Sequence, residues 1–253
     1  MKWLRWLLPV LLMLLPTLAF AQDVVPVDPL AEGASDLAEE VRDMPVATTV
    51  RLIVILTALT FLPGLIIVMT PFTRFVVVFG LLRQALGLQQ SPPNQVLIAL
   101  ALMMSMLVMR PTIDQVMDNA IDPFIAGEMD TTEAYEAGIQ PMRTFMLGNT
   151  RRTDLAAVME MGRLPPPDTL DDIPTPAVIS AYVLSELKTA FVIAVKVYLP
   201  FLVIDIIVAN VLLAMGMMVL PPVIISLPFK LLLFVLMDGW NLLVRSMAAG
   251  FGL

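Results

Sequence analysis

The sequence contains no cysteine and no histidine. Without cysteine, a disulfide, an iron–sulfur cluster and a thiol nucleophile are all excluded. Without histidine, haem ligation by histidine, the usual zinc ligand sets and Ser-His-Asp catalysis are excluded as well. We therefore expect none of these metal sites, cofactor sites or catalytic groups.

Charged residues are also scarce, at 15% of the 253 residues, whereas apolar residues make up 58%. Mean hydropathy is +0.87, and a soluble globular domain is usually only about 45–50% apolar. This composition is typical of an integral membrane protein. The length allows one domain of a few helices and leaves no room for a large soluble module.

The first residues have the layout of a secretory signal peptide. A basic start precedes the apolar run Leu7–Leu15, and Ala19-Phe20-Ala21 is a small-x-small cleavage site. We expect residues 1–21 to be removed by cleavage after Ala21; an uncleaved first membrane helix is the alternative. Residues 22–45, rich in Asp, Glu, Pro and Ala, are predicted to form a flexible acidic arm.

Four apolar segments follow the arm, and they are short, interrupted by proline or charged. They are Leu52–Met69, Val96–Met109, Ala190–Leu213 and Val223–Val244. Such segments are tolerated where protein rather than lipid surrounds the backbone. We predict an all-α membrane protein with two broken helical hairpins, residues 46–110 and 176–253, and a small helical insertion between them, residues 111–175.

The charges between the apolar segments predict the topology. Residues 70–95 carry only Arg74 and Arg83, whereas residues 111–175 carry twelve acids against four arginines. The positive-inside tendency places the arginine-bearing loop in the cytoplasm and the acidic loop in the periplasm. A cleaved signal peptide predicts the same orientation.

The acidic loop is predicted to be ordered. One apolar stripe follows helical spacing; its members are Ile113, Val116, Met117, Ala120, Ile121, Phe124 and Ile125. A second helix is predicted over Asp154–Met161, with Thr153 before it and Gly162 at its C-terminal end. We expect the two helices to pack against each other, and a contact with another subunit is a compatible alternative.

Charged residues lie inside or beside the last two apolar segments. They are Glu186, Lys188, Lys196, Asp205, Lys230 and Asp238. A lone charge facing lipid costs about 3 kcal/mol or more. Lys196 and Asp205, nine residues apart, face opposite sides of a straight helix and cannot easily pair. We predict salt bridges between subunits, with charges solvated in a lumen as the alternative; the segment is typical of a multi-chain membrane assembly.

Nine short runs occur in an order that resembles one family. They are Leu59–Pro63 (LTFLP), Met69–Arg74 (MTPFTR), Leu82–Gly87 (LRQALG), Pro92–Val96 (PPNQV), Ser185–Phe191 (SELKTAF), Pro200–Asp205 (PFLVID), Met215–Met218 (MGMM), Ser226–Leu231 (SLPFKL) and Asp238–Trp240 (DGW). The chain resembles the FliP family of flagellar biosynthetic proteins, which belong to the export gate of the type III secretion apparatus. It departs from the usual family pattern at Val192-Ile193-Ala194, where the family has a polar residue, Ile and Gly.

The resemblance implies a channel subunit and not an enzyme. FliP-like subunits form a ring of several copies, joined by FliQ-like and FliR-like chains, and unfolded flagellar substrates pass through its centre. On this reading the chain is a multi-pass, lipid-contacting protein of the bacterial inner membrane within the flagellar basal body. Contacts with FlhA-like and FlhB-like proteins are also expected, and a nucleic-acid partner is not.

Within that resemblance, Met215-Gly216-Met217-Met218 is the candidate gate. Unbranched thioether side chains repack easily, and a ring of them could close and dewet a narrow lumen. The family often has three methionines after the glycine, whereas Val219 follows Met218 here. Ordinary core packing is the alternative. The run stands just before Pro221-Pro222, so we predict a turn rather than a helix face.

Three other functions are weighed. The chain could be the equivalent subunit of a virulence-type injectisome, although the signal peptide and the long acidic loop favour the flagellar branch. An ion-coupled transporter could use Lys196 and Asp205 as a proton relay, but the halves show no internal repeat. An intramembrane aspartyl protease would need Asp205 and Asp238 as a dyad, and no Gly-x-Gly-Asp run frames either aspartate.

Overall fold

The computed structural model describes residues 46–88, 90–217 and 219–251. Within these residues every regular element is a helix, which confirms the predicted all-α class. The predicted signal peptide, its cleavage site at Ala21, the acidic arm and Met218 lie outside the described residues.

The chain divides into two compact units, residues 1–67 and 68–253. The described part of the first unit is nearly all of helix α1, Val46–Val68, which continues through Pro63. Val50–Val68 is long and apolar enough to cross a membrane. Apolar residues occur on all sides of α1, and a helix that is apolar all round is typical of a membrane span.

The helices of the second unit follow in chain order. They are α2 (Phe72–Ala85), α3 (Asn94–Val116), α4 (Asp122–Ala126), α5 (Thr131–Asn149), α6 (Arg152–Met161), α7 (Thr175–Ala214), α8 (Pro222–Leu236) and α9 (Gly239–Ala249). A π-helical turn, Met117–Ile121, joins α3 to α4, and a 3₁₀ turn, Leu170–Asp172, precedes α7.

Helix α7 is the central packing element, in contact with α2, α5, α6 and α8. Its 40 residues give it a length of about 60 Å, whereas the hydrocarbon core of a bilayer is about 30 Å thick. The first part of α7 packs against α5 and α6, and the later part exposes apolar side chains such as Leu199, Val203 and Ile207. Only part of this helix can lie in the hydrocarbon core.

Two buried clusters hold the second unit together. The larger joins α2, α3, α7, α8 and α9 through Phe75, Phe79, Ala101, Ala190, Phe234 and Met247. The smaller joins α5 to the start of α7 through Met146, Ile173, Val178 and Tyr182. Both clusters contain residues of α7, so this helix links the membrane-type part of the unit to its polar insertion.

The stretches Asn94–Ala126 and Thr175–Ala214 are also long and apolar enough to span a membrane. Helices α8 and α9 pass the same test only as a pair, and they are bent by 62° at their junction. The described residues therefore contain three candidate spans, or four if the bent pair is one span. This agrees with the four broken apolar segments predicted from the sequence.

Several boundaries differ from the sequence-based expectation. Residues 70–95 are not an open loop, because α2 occupies their middle and packs against α3 and α7. Helix α3 runs through Pro111, so the expected hairpin boundary at residue 110 falls inside a helix. Proline removes one hydrogen-bond donor and kinks a helix, and here the chain continues helical beyond it.

The polar insertion is helical, as predicted, but its packing differs. The apolar stripe packs against α5, and α6 packs against α7, so the predicted packing of the two on each other is replaced by two separate contacts. A Cβ at Gly138 of α5 would lie 3.3 Å from Ala120, which shows how closely α5 approaches the stripe. Ile121, Phe124 and Ile125, at the end of the stripe, are exposed.

Candidate functional site

A polar network lies between α2, α7 and α8. Lys230 on α8 donates from Nζ to Asp205 Oδ2 on α7 at 2.6 Å and to the carbonyl oxygen of Ala85 at 3.0 Å. Ser226, one turn before Lys230, donates from Oγ to Asp205 Oδ1 at 2.5 Å. Lys230 is 2% exposed and Ser226 is fully buried. A buried cation is thus matched by a carboxylate and by a carbonyl at the C-terminal end of a helix, where a positive charge is favoured.

A second ion pair joins α2 to α7. Arg74 donates from Nε to Glu186 Oε2 at 2.8 Å and from Nη2 to Glu186 Oε1, and both residues are buried. The Arg74 guanidinium carbon also lies 3.7 Å from the centroid of the Phe251 ring. A planar guanidinium can bind a carboxylate through two nitrogens and lie flat on a ring, whereas the ammonium of lysine can do neither.

Arg83 has a different role. It donates from Nη1 to the carbonyl oxygen of Pro92 at 3.2 Å and to Asn94 Oδ1 at 2.7 Å. These bonds connect the end of α2 to the start of α3. The run LRQALG, at the end of α2, is therefore bonded directly to the run PPNQV, at the start of α3. Arg74 and Arg83 were predicted as loop arginines; the structure places both on α2, Arg74 buried and Arg83 partly buried.

The run SELKTAF forms the contact between α6 and α7. Ser185 Oγ accepts from the Arg151 backbone N–H at 3.0 Å, and Lys188 Nζ lies 3.4 Å from Asp154 Oδ1. Lys188 is half exposed, whereas Asp154 is buried. Glu186, Lys188, Asp205 and Lys230 therefore find partners on other helices of the same chain, where the sequence analysis expected neighbouring subunits. The reason is that α2, α6 and α8 all pack around α7.

Two predicted charges are arranged differently. Lys196 is exposed on α7, and Asp238 is exposed at the bend between α8 and α9. Asp238 accepts a hydrogen bond from Asn241 Nδ2 at 2.9 Å and has φ of 48°, in the left-handed region. Neither charge forms an ion pair with any residue that the structure describes. Asp205 and Asp238 thus have separate partners.

Met215, Gly216 and Met217 lie in the turn between α7 and α8, as predicted. Met217 donates its backbone N–H to the carbonyl oxygen of Leu212, and Gly216 donates to Leu213, both at 3.0 Å. Gly216 has φ of 73°. This is a Schellman cap, in which a glycine in the left-handed conformation ends the helix. Met215 is 65% exposed and Met217 is 40% exposed, so these two methionines are not core residues of the single chain.

Sequence reasoning missed three contributors. Ser226 could have been noticed from its spacing of four residues before Lys230, which places both on one face of a helix. Arg143 on α5 donates to Thr175 Oγ1 at 2.6 Å and to the carbonyl oxygen of Ile173 at 2.8 Å, and it ties α5 to the start of α7. Phe251 contacts Arg74 from the end of the chain. No local sequence pattern predicts the contacts of Arg143 or of Phe251.

Comparisons with known proteins show which sequences this chain is similar to. The sequence profile of the FliP family matches residues 55–247, a range that includes all nine runs. The chain is 46% identical over 206 residues to the flagellar biosynthetic protein FliP of Bacillus subtilis, covering 81% of this chain and 93% of that protein. It is 48% identical over 203 residues to the FliP of Pectobacterium carotovorum, covering 80% and 79%. It is 45% identical over 238 residues to the FliP of Caulobacter vibrioides, covering 94% and 86%.

Proposed function

The chain belongs to the FliP family of flagellar biosynthetic proteins, and from this premise we propose that it is a channel subunit of the flagellar protein export gate. Several copies, together with FliQ-like and FliR-like chains, would enclose a pore for unfolded flagellar substrates. The subunit would act as wall and gate rather than as an enzyme, next to FlhA-like and FlhB-like proteins.

The observation that carries the gate proposal is the exposed apolar turn Met215–Leu220. Its described side chains are exposed, and the Schellman cap fixes their direction relative to α7. A secretion pore must seal against ions when idle and still admit chains of any sequence. Flexible methionine side chains suit that task, and an apolar constriction excludes ions by dewetting.

The polar network supports the gate by fixing the hairpin that carries the turn. Asp205 lies nine residues before Ala214, the end of α7, and Ser226 lies four residues after Pro222, the start of α8. Their hydrogen bond therefore closes the base of the hairpin just behind the turn. Lys230 Nζ also donates to the carbonyl oxygen of Ala85 at the end of α2. Helix α2 is therefore tied to the same hairpin.

Exposed apolar surface supports an assembly of several chains. The second half of α7 exposes Leu199, Val203 and Ile207 by more than half of their side-chain area. Apolar patches of this extent are covered by lipid or by protein partners. We place the assembly in the inner membrane of the basal body, with residues 111–175 in the periplasm. Cleavage of the predicted signal peptide would leave residue 22 in the periplasm, and two apolar segments would cross the membrane before residue 111.

A leak measurement tests the gate. The full chain is expressed with its FliQ-like and FliR-like partners in a flagellated bacterium, and membrane depolarisation is recorded together with secretion of a flagellar substrate. We expect Met217→Ala to increase the resting ion leak while secretion continues. Met161→Ala is the matched control, because Met161 is a methionine 81% exposed on α6, away from the turn. Equal leak in the wild type, Met217→Ala and the control would refute the gate.

A further inference from the structure

Lys196 and Asp238 are charges exposed among apolar side chains. Val192, Leu199 and Val203 lie on the same face of α7 as Lys196 and are 42%, 53% and 53% exposed. Beside Asp238, Leu236 is 74% exposed. A charge surrounded by apolar surface is costly against lipid and normally faces protein or water. Among the residues that the structure describes, neither charge has an ion-pair partner, so such a partner would come from a neighbouring molecule.

The two charges lie at similar heights along the hairpin formed by α7 and α8. These helices run antiparallel, because Asp205 pairs with Lys230 while Phe201 contacts Phe234, with ring centroids 6.4 Å apart. Lys196 lies nine residues before Asp205, about 13 Å along α7. Leu236, the last residue of α8, lies six residues beyond Lys230, about 9 Å in the same direction, and Asp238 follows at the bend.

Similar height matters in the proposed assembly of several copies. If neighbouring copies are related mainly by rotation about an axis parallel to the hairpin, the height of each residue changes little from copy to copy. The same rotation brings one side of a subunit against a different side of the next. Opposite charges at similar heights on one chain can therefore meet at each contact between successive copies. The lysine and the aspartate have complementary charge, and neither has an ion-pair partner among the described residues. A second copy can supply the partner of both.

We propose that Lys196 of one copy forms a salt bridge with Asp238 of the next copy. This pair rests on the proposed function, which requires several copies side by side. This salt bridge is a heterologous contact at the level of the bend between α8 and α9. It lies farther from the turn between α7 and α8 than the network of Asp205 and Lys230 does.

Disulfide cross-linking tests the contact directly, since the chain has no cysteine of its own. Two full-length chains with different tags are co-expressed, one with Lys196→Cys and the other with Asp238→Cys, and membranes are oxidised. A covalent dimer that carries both tags is expected. The control replaces Lys196→Cys with Val203→Cys, an exposed position on the same face of α7 but seven residues lower, and should give little dimer. A dimer as abundant in the control as in the test pair would overturn the assignment.

A double-mutant cycle covers the case in which a cysteine disturbs the bend. Asp238→Asn suits the left-handed backbone at this position, because asparagine tolerates that conformation, and Lys196→Gln removes the opposite charge. If the charges pair, the complex formed by the double variant should dissociate in detergent at the same temperature as the complex of either single variant, and not at a lower temperature. Fully additive shifts would contradict the pair, as expected if Lys196 only reaches for lipid phosphates or binds a different chain.

Self-association separates this inference from the proposed function. Each tagged chain, variant or wild type, is co-expressed with a differently tagged wild-type copy. The first chain is then used to capture that copy from detergent extracts. Capture without the specific cross-link shows that copies assemble through other residues, and the Lys196–Asp238 pair is then wrong. Absence of capture for the wild type itself removes the ring, and with it the proposed function.

Discussion

Lys230 and Asp205 are separated by 25 residues in the sequence, yet Lys230 Nζ lies 2.6 Å from Asp205 Oδ2. The lysine is 2% exposed and the aspartate side chain 20% exposed. Pairing them offsets the cost of placing each charge inside an apolar hairpin. The pair also lets two otherwise unfavourable residues specify the register of α7 against α8.

Removing one member of this pair should be more damaging than removing both. Asp205→Ala leaves a buried ammonium without its carboxylate, which costs about 3–5 kcal/mol. In the double variant Asp205→Leu with Lys230→Met no charge is left buried, and Ser226 Oγ can still donate to the carbonyl oxygen of Val223, which lies at 3.2 Å. The measurement is the temperature at which the detergent-solubilised complex loses its helical circular dichroism.

The control for that series is Asp171→Asn, which changes an exposed acid outside the hairpin. A surface substitution of this kind normally shifts stability by no more than about 0.5 kcal/mol. If the double variant were less stable than Asp205→Ala alone, the charges would have a role beyond neutralising each other.

The pair of Arg74 and Glu186 should require an arginine. Arg74→Lys keeps the charge but loses the two-pronged contact with the carboxylate and the flat surface that meets Phe251. Arg74→Ala leaves the buried Glu186 without its partner, at a cost of about 3–5 kcal/mol, and Arg74→Lys should fall between this variant and the wild type. Thermal unfolding in detergent ranks the three proteins, and a lysine variant as stable as the wild type would contradict the geometric argument.

The C-terminal ring can be tested separately from the ion pair. Phe251→Leu keeps an apolar side chain but removes the ring face over Arg74, a contact worth about 0.5–2 kcal/mol. Phe251 also stacks on Phe75 and Phe145, with centroids 6.3 Å and 6.1 Å apart. Phe251→Leu should therefore lower the unfolding temperature in the wild type and have less effect in the Arg74→Lys background, where part of the contact is already lost.

The sequence predicts the elements of this protein better than it predicts their contacts. Helical periodicity and end signals locate α6, and the dipeptide Pro221-Pro222 together with Gly216 locates the turn, because these features are local. Helix α5 was missed, although Asp130 and Glu133 form a capping box at its start; Gly138 and Pro141 weaken the helical pattern inside it.

Long-range pairs are the part that sequence reasoning could not supply. Helix geometry correctly excludes a pair between Lys196 and Asp205, but it gives no information about which other helix lies beside Asp205. Arg74 and Glu186 are 112 residues apart, and their meeting depends on α2 lying along α7. Unless the packing of α7 is known, a partner within the chain and a partner on another subunit would neutralise a buried charge equally well.

The bend between α8 and α9 should depend on Gly239. A Cβ at this position would lie 2.3 Å from the ring of Phe234, so Gly239→Ala should cost about 1–3 kcal/mol through overpacking. Adding Phe234→Leu should recover part of the loss by making room. Gly80→Ala is the control, because a Cβ there meets no atom within 4 Å. Equal stabilities of the two alanine variants would show that the bend adapts without strain.

The methionine turn should depend on Gly216 in a graded way. Its φ of 73° lies in the left-handed region, where a Cβ costs roughly 1–2 kcal/mol, and asparagine is the best tolerated replacement. Gly216→Ala should therefore disturb the Schellman cap and displace Met217, raising the resting ion leak, and Gly216→Asn should leak less than Gly216→Ala. Gly127→Ala is a matched control, because Gly127 ends α4 with φ of 76° and is remote in sequence from the turn. The same backbone strain at Gly127 should leave the leak unchanged, so a leak in both alanine variants would point to general destabilisation rather than to the gate.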